Sequence, residues 1–207
     1  MRLFDLIHKR GIASEFLAIS STFSESEVAA SLRLASWTRK SEFAAGRLAA
    51  KKALASFGIA AETIPQCHTG LPVWPGGSVG SISHSSTHAC AVAAHASSYR
   101  SLGIDIEPES SVSRLNGLRT LFLTEAESSL TTLEAFIAFS AKESLFKMIF
   151  PLARQFFGFE AAVVKGFDDQ TVTLTLNESI GSFSKGSRFQ AFFEFYRGHV
   201  VTMCMLA

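Results

Sequence analysis

From Gly103 to Glu107 the chain reads Gly-Ile-Asp-Ile-Glu, and this alternation most constrains the fold. Successive side chains of a strand leave opposite faces, so Asp105 and Glu107 share one face and Ile104 and Ile106 the other. A short strand is expected over 102–107, ended by Pro108. Two carboxylates this close repel, and one must hold its proton more tightly unless a cation lies between them. A hard cation such as Mg²⁺ fits, because it takes one or two carboxylates and completes its shell with water and phosphate oxygens. A strand with an acidic solvent face shows the same pattern and needs no metal.

A second segment, Phe139-Ser-Ala-Lys-Glu-Ser-Leu-Phe-Lys147, reads as helix. Glu143 and Lys147 are four apart and share a helix face. Lys142 lies about a third of a turn away. An exposed pair of this kind contributes only about 0.3–0.5 kcal/mol. Beside the acidic strand, however, the helix adds a third carboxylate and two ammonium groups. Together the segments supply a divalent metal site and a polyphosphate clamp. Phe136, Phe139 and Phe146 are read as core-facing, and the helix is expected over about 133–150, stopping before Pro151.

Upstream, Ser81-Ile-Ser-His84 offers backbone amides, a hydroxyl and an imidazole that could hold a phosphate. Arg39, Lys40, Arg47, Lys51 and Lys52 form the basic cluster, with Arg47 the candidate for a planar phosphate chelate. Gly76-Gly-Ser-Val-Gly80 formally matches a nucleophile elbow centred on Ser78. An elbow needs a strand before it and a helix after it; here Trp74-Pro75 precedes and strand-like sequence follows. His84 and His88 lack further ligands at zinc spacing.

The remaining pattern is mixed. Helices are expected over 24–30 (N-cap Ser24, with Glu27 three residues on), over 42–57, stopped by Gly58, and from Thr124 onward. The stretch 81–96 reads as one or two strands and 110–120 as irregular. Strands are expected at 163–164, 171–176, 188–196 and 199–205, with turns at Asp168-Asp169 and Arg197-Gly198. This order suggests an α+β fold of two similar lobes related by a pseudo-twofold, each a small, mainly antiparallel sheet packed with helices. The boundary is placed between lobes 1–100 and 101–207. The 207 residues are 47% hydrophobic with 19 Phe, enough for a substantial, aromatic-rich core. A net charge of +1 gives no general argument for nucleic acid. Three scattered cysteines argue for a reducing compartment, hence a cytoplasmic protein. Neither a signal-peptide apolar region nor a membrane span is expected.

Taken in order, these motifs resemble the 4′-phosphopantetheinyl transferases, in the large two-lobed type that serves siderophore, nonribosomal-peptide and polyketide synthases. Gly103 to Glu107 matches the family pattern G-[IV]-D-x-E. Phe139 to Lys147 matches [FW]-x-x-K-E-[SA]-x-x-K in full. Arg39 to Arg47 and Pro72 to His84 look like the enterobactin-type branch, although Thr69 stands where relatives often carry a basic residue. The resemblance implies transfer of the phosphopantetheine arm of coenzyme A to a serine of an apo acyl or peptidyl carrier protein. It implies Mg²⁺, with Mn²⁺ an alternative, held by Asp105, Glu107 and Glu143. Glu143 and Lys147 become the catalytic residues. Arg39, Arg47, Ser83, His84, Asp105, Lys142 and Lys147 become the coenzyme A contacts. A monomer is expected. The rival readings are a catalytically degenerate binder of coenzyme A or carrier protein, and a serine hydrolase at Ser78.

Overall fold

Two Ala-rich elements face each other in the first half of the chain. A computed structural model describes residues 2–20 and 34–207; the helix expected over 24–30 falls outside them. Helix α1 (Leu3–Lys9) precedes strand β1 (Ala13–Ala18), helix α2 (Trp37–Ala55) and strands β2 (Ser78–His84) and β3 (His88–His95). The three strands form an antiparallel sheet in the order β1-β3-β2. Ala49, Ala50, Ala53 and Leu54 of α2 bury against Ala91 and Ala93 of β3. Small side chains on both elements bring helix and sheet close. Gly46 completes the fit, since a Cβ there would press on Ile82 Cγ2 at 2.8 Å. Gly80 lies under the Trp74 indole, which leaves no room for a side chain. Ser36 caps α2, accepting from the Arg39 amide at 3.3 Å.

In the second half, strand β4 (Ser101–Pro108) is followed by short helical turns, among them helix α3 (Val112–Gly117), where irregular chain was expected. Helix α4 (Thr132–Ala153) then leads to strands β5 (Ala162–Asp168), β6 (Thr171–Leu176), β7 (Arg188–Tyr196) and β8 (His199–Leu206). The sheet order is β4-β8-β7-β6-β5, with β5 to β8 joined as an antiparallel meander. Arg197 and Gly198 both have positive φ, the requirement of a two-residue hairpin turn. Helix α4 packs on β6, β7 and β8. Its start is a capping box between Thr131 and Glu134. It runs past Pro151, contrary to expectation, and ends at Arg154 in the left-handed region. A proline this close to the C-terminus forfeits one backbone bond, which the packed helix tolerates.

The chain divides into two compact units, Met1–Leu102 with Ala207 and Gly103–Leu206. Both place a long helix on an antiparallel sheet, giving the expected α+β class. The sheets differ in size, three strands against five. No helix among the described residues is long and apolar enough to cross a membrane.

Candidate functional site

Gly103 explains how the second unit brings its charged groups together. A Cβ at this position would collide with Ser144 O and the backbone of Met148. Glycine therefore lets β4 lie directly against α4, and the acidic strand meets the helix carrying Glu143 and Lys147. Ile104 and Ile106 are fully buried, as the alternation requires. Asp105 is only 4% exposed. Lys147 Nζ donates to Asp105 Oδ1 at 2.7 Å, and the buried Ser140 hydroxyl donates to Oδ2 at 2.7 Å. Thr202 Oγ1 donates to Ser140 O at 2.8 Å, which ties this network to β8.

The other two carboxyls sense the crowding. Burial, then repulsion from Asp105, pushes the Glu107 carboxyl up to about 7; Arg114, Lys147 and the Ser111 hydroxyl act the other way. Burial and Asp105 likewise raise Glu143, and Lys147 offsets part of the rise. The cluster is short of positive charge, as the strand pattern predicted. Its hard oxygen donors suit Mg²⁺ or Mn²⁺. Among the described residues, however, no three His, Cys, Asp or Glu side chains stand together at metal-holding geometry. The expected trio of Asp105, Glu107 and Glu143 is thus not a preassembled chelate. Lys147 neutralises Asp105 directly. The donor chemistry fits a cation that takes one or two of these carboxylates and finds its other ligands in water and phosphate.

Lys142 departs from expectation. It is 3% exposed and its three protons face Glu127 Oε2 (2.8 Å), Phe122 O (2.9 Å) and Phe159 O (3.3 Å). Those acceptors take up its ammonium protons within the second unit, while its side chain also borders the neighbouring cavity. Burial lowers its pKa, and Glu127 works against the shift. Sequence reasoning missed Glu127; its only signal was the spacing from Thr124, which reads as a helix cap. Next to this pair lies an apolar cavity of about 150 Å³, bordered by Glu143, Phe146, Phe156, Phe157 and Phe159.

In the first unit, α2 and β2 assemble a separate group. Arg39 Nη1 lies 2.6 Å from His84 Nε2 and 3.5 Å from Glu42 Oε2; His84 Nδ1 is 3.6 Å from the same carboxylate oxygen. A guanidinium only donates, so Nε2 accepts and the imidazole proton sits on Nδ1, facing Glu42. Arg47 is buried with its guanidinium 4.3 Å over the Phe43 ring. Its Nε has no hydrogen-bond partner among the described residues. Burial, then repulsion from Arg39, lowers its pKa to about 10. The buried guanidinium thus keeps one donor, Nε, without a partner among the described residues and sits near a second guanidinium, an arrangement whose chemistry suits an anion. Ser83 does not join it. Adjacent strand residues point to opposite faces, and α2 packs on the face of Ile82 and His84. Ser83 is buried on the other. Ser78 opens β2 and donates to Pro75 O at 2.7 Å, with no helix following. It is no nucleophile elbow.

Residues 101–204 match the profile of the 4′-phosphopantetheinyl transferase superfamily, and residues 27–94 that of the 4′-phosphopantetheinyl transferase N-terminal domain. The chain is 33% identical over 129 residues to 4′-phosphopantetheinyl transferase Npt of Nocardia iowensis, covering 60% of this chain and 58% of the relative. It is 34% identical over 140 residues to 4′-phosphopantetheinyl transferase PptT of Mycobacterium tuberculosis, covering 64% and 61%. It is 40% identical over 126 residues to enterobactin synthase component D of Escherichia coli, covering 57% and 58%. The matched stretch thus spans about three-fifths of each relative's length. With the superfamily profile covering half of its residues, this chain belongs to the 4′-phosphopantetheinyl transferase superfamily.

Proposed function

We propose that this protein moves the 4′-phosphopantetheine arm of coenzyme A onto a serine of an apo acyl or peptidyl carrier protein, releasing adenosine 3′,5′-bisphosphate. The observation that carries the reading is Lys147, fixed 2.7 Å from Asp105 beside two carboxyls of raised proton affinity. In the reaction the serine Oγ attacks the phosphorus bearing the pantetheine arm. The serine proton leaves, and the P–O bond to the bisphosphate breaks. Glu143 takes the proton, because a carboxylate of raised pKa is a better base than an exposed one. Lys147 presents its ammonium to the pyrophosphate and stabilises the charge that grows on the leaving bisphosphate. Mg²⁺ or Mn²⁺, when bound, supplies Lewis-acid neutralisation of the phosphate oxygens. Asp105, Glu107 and Glu143 are the candidate side chains, one or two of which would hold it with water and phosphate oxygens completing the shell.

Arg39, Arg47 and His84 are assigned to the nucleotide phosphates, chiefly the 3′-phosphate. The aromatic cavity beside Glu143 would seat the distal, thiol-bearing part of the arm. Carrier domains of siderophore, nonribosomal-peptide or polyketide assembly are the proposed acceptors. In Arg47→Ala, affinity for coenzyme A should fall by about tenfold or more, and affinity for 3′-dephospho-coenzyme A by far less. Equal losses for the two ligands would remove the 3′-phosphate assignment. Glu143→Gln should slow transfer by at least about tenfold while coenzyme A still binds. Undiminished transfer would remove Glu143 as the base.

A further inference from the structure

The Glu127–Lys142 ion pair is 2.8 Å long, and each side chain is 1% exposed. Taking two charges out of water is costly, and the attraction compensates only when the remaining hydrogen-bond valences are met. Here they are. Besides Glu127, Lys142 Nζ reaches Phe122 O and Phe159 O. Glu127 Oε2 also accepts the Thr124 amide at 2.8 Å and the Thr124 hydroxyl at 2.9 Å, and Oε1 accepts the Val164 amide at 2.7 Å. These groups come from three segments: the chain around Phe122 to Glu127, helix α4, and the turn leading into β5. Two of them, helix α4 and the segment leading into β5, border the aromatic cavity through Lys142, Glu143, Phe159 and Ala162; the third is tied to them through Glu127 and Phe122 O.

An apolar pair of the same volume would pack these segments with equal or greater stability. It would not direct them. An ammonium projects three separate donors, which a planar guanidinium fork does not reproduce. We propose that the Glu127–Lys142 pair is a positioning device: it sets the Phe159–Ala162 wall of the cavity against Glu143 and so governs how the pantetheine end of coenzyme A is seated. It acts through that wall and leaves the nucleotide contacts alone. This inference rests on the coenzyme A reading above.

The test compares two probes by calorimetry, coenzyme A and adenosine 3′,5′-bisphosphate, which lacks the pantetheine arm. In the double variant Glu127→Gln/Lys142→Met, affinity for coenzyme A should fall by about tenfold, with the bisphosphate within about twofold of wild type. Thr124→Val removes one partly exposed donor to Glu127 and does not threaten the fold. It should shift the same ratio in the same direction, by about two- to threefold. Lys142→Arg keeps the charge and should behave like the double variant. A wild-type ratio in Thr124→Val and in whichever of the other variants fold would overturn the inference. If wild-type protein binds neither probe, the coenzyme A reading fails and takes this inference with it. Wild-type binding of both probes with unchanged ratios in the variants sinks this inference alone.

Discussion

Lys147 lies four residues beyond Glu143, where an ordinary helix pair would form, yet its 2.7 Å partner is Asp105 on β4. The consequence is electrostatic. One ammonium serves three carboxyls, and Glu107 is left with its pKa near 7. The sign of the pH dependence follows. Between its usual 4.5 and about 7, the folded protein holds the Glu107 proton more tightly than the unfolded chain does. The group's contribution is therefore fully present below pH 4.5 and is lost as pH rises through 7. Without divalent metal, wild type should lose on the order of 2 kcal/mol relative to Glu107→Gln between pH 5 and pH 8, after allowance for partial solvent exposure. Millimolar Mg²⁺ at pH 8 should recover part of that loss. Urea unfolding of both proteins at the two pH values measures it, and parallel curves would show that Glu107 is an ordinary exposed acid. Lys142 belongs to the same scale. Lys142→Met alone strands the buried Glu127 carboxylate and should cost about 3–5 kcal/mol in the same assay. A loss below about 1 kcal/mol would mean that Glu127 reaches water or takes up a proton without strain.

Among the elements, the β4–α4 contact is the most demanding. Gly103→Ala drives a methyl into the backbone of α4. It should destabilise by about 3 kcal/mol or more and separate Asp105 from Lys147. Thr131→Ala removes the cap of α4 and should cost only about 1 kcal/mol, leaving the site in place. Thermal unfolding ranks the two, and the reverse order would contradict the packing described. Much at this scale was legible in the sequence. The alternation at 103–107, the helix at 139–147 and the C-terminal strands announce themselves by local periodicity. What was not legible depends on distant partners. Strand β1 (Ala-Ser-Glu-Phe-Leu-Ala) has helix-forming composition and becomes a strand only by pairing with β3, some 75 residues later. Glu127 looks like a capping residue until Lys142, fifteen residues on, draws it inside. Ser83 and His84 are neighbours in sequence, and the pleat sends them to opposite faces. Arg39 and His84 could be named from motifs, but Glu42, which completes their group, carried no more than an i+3 spacing.

At the scale of the whole molecule, the two units carry opposite chemistry. The first places two guanidinium groups near each other, one of them buried with an Nε that has no partner among the described residues. The second concentrates carboxyls around a single exposed-edge ammonium. The first suits a phosphate, and the second suits a cation bound with a pyrophosphate. Each chemistry taken by itself matches a part of coenzyme A, the substrate of the proposed transfer. Intact mass spectrometry of apo carrier proteins, incubated with this chain, coenzyme A and Mg²⁺ with or without EDTA, tests that transfer most directly. A metal-dependent gain of about 340 Da, one phosphopantetheinyl group, is expected, and Lys147→Ala should abolish it. No gain on any siderophore, nonribosomal-peptide or polyketide carrier, with coenzyme A still bound, would contradict it and leave a binding protein in place of a transferase.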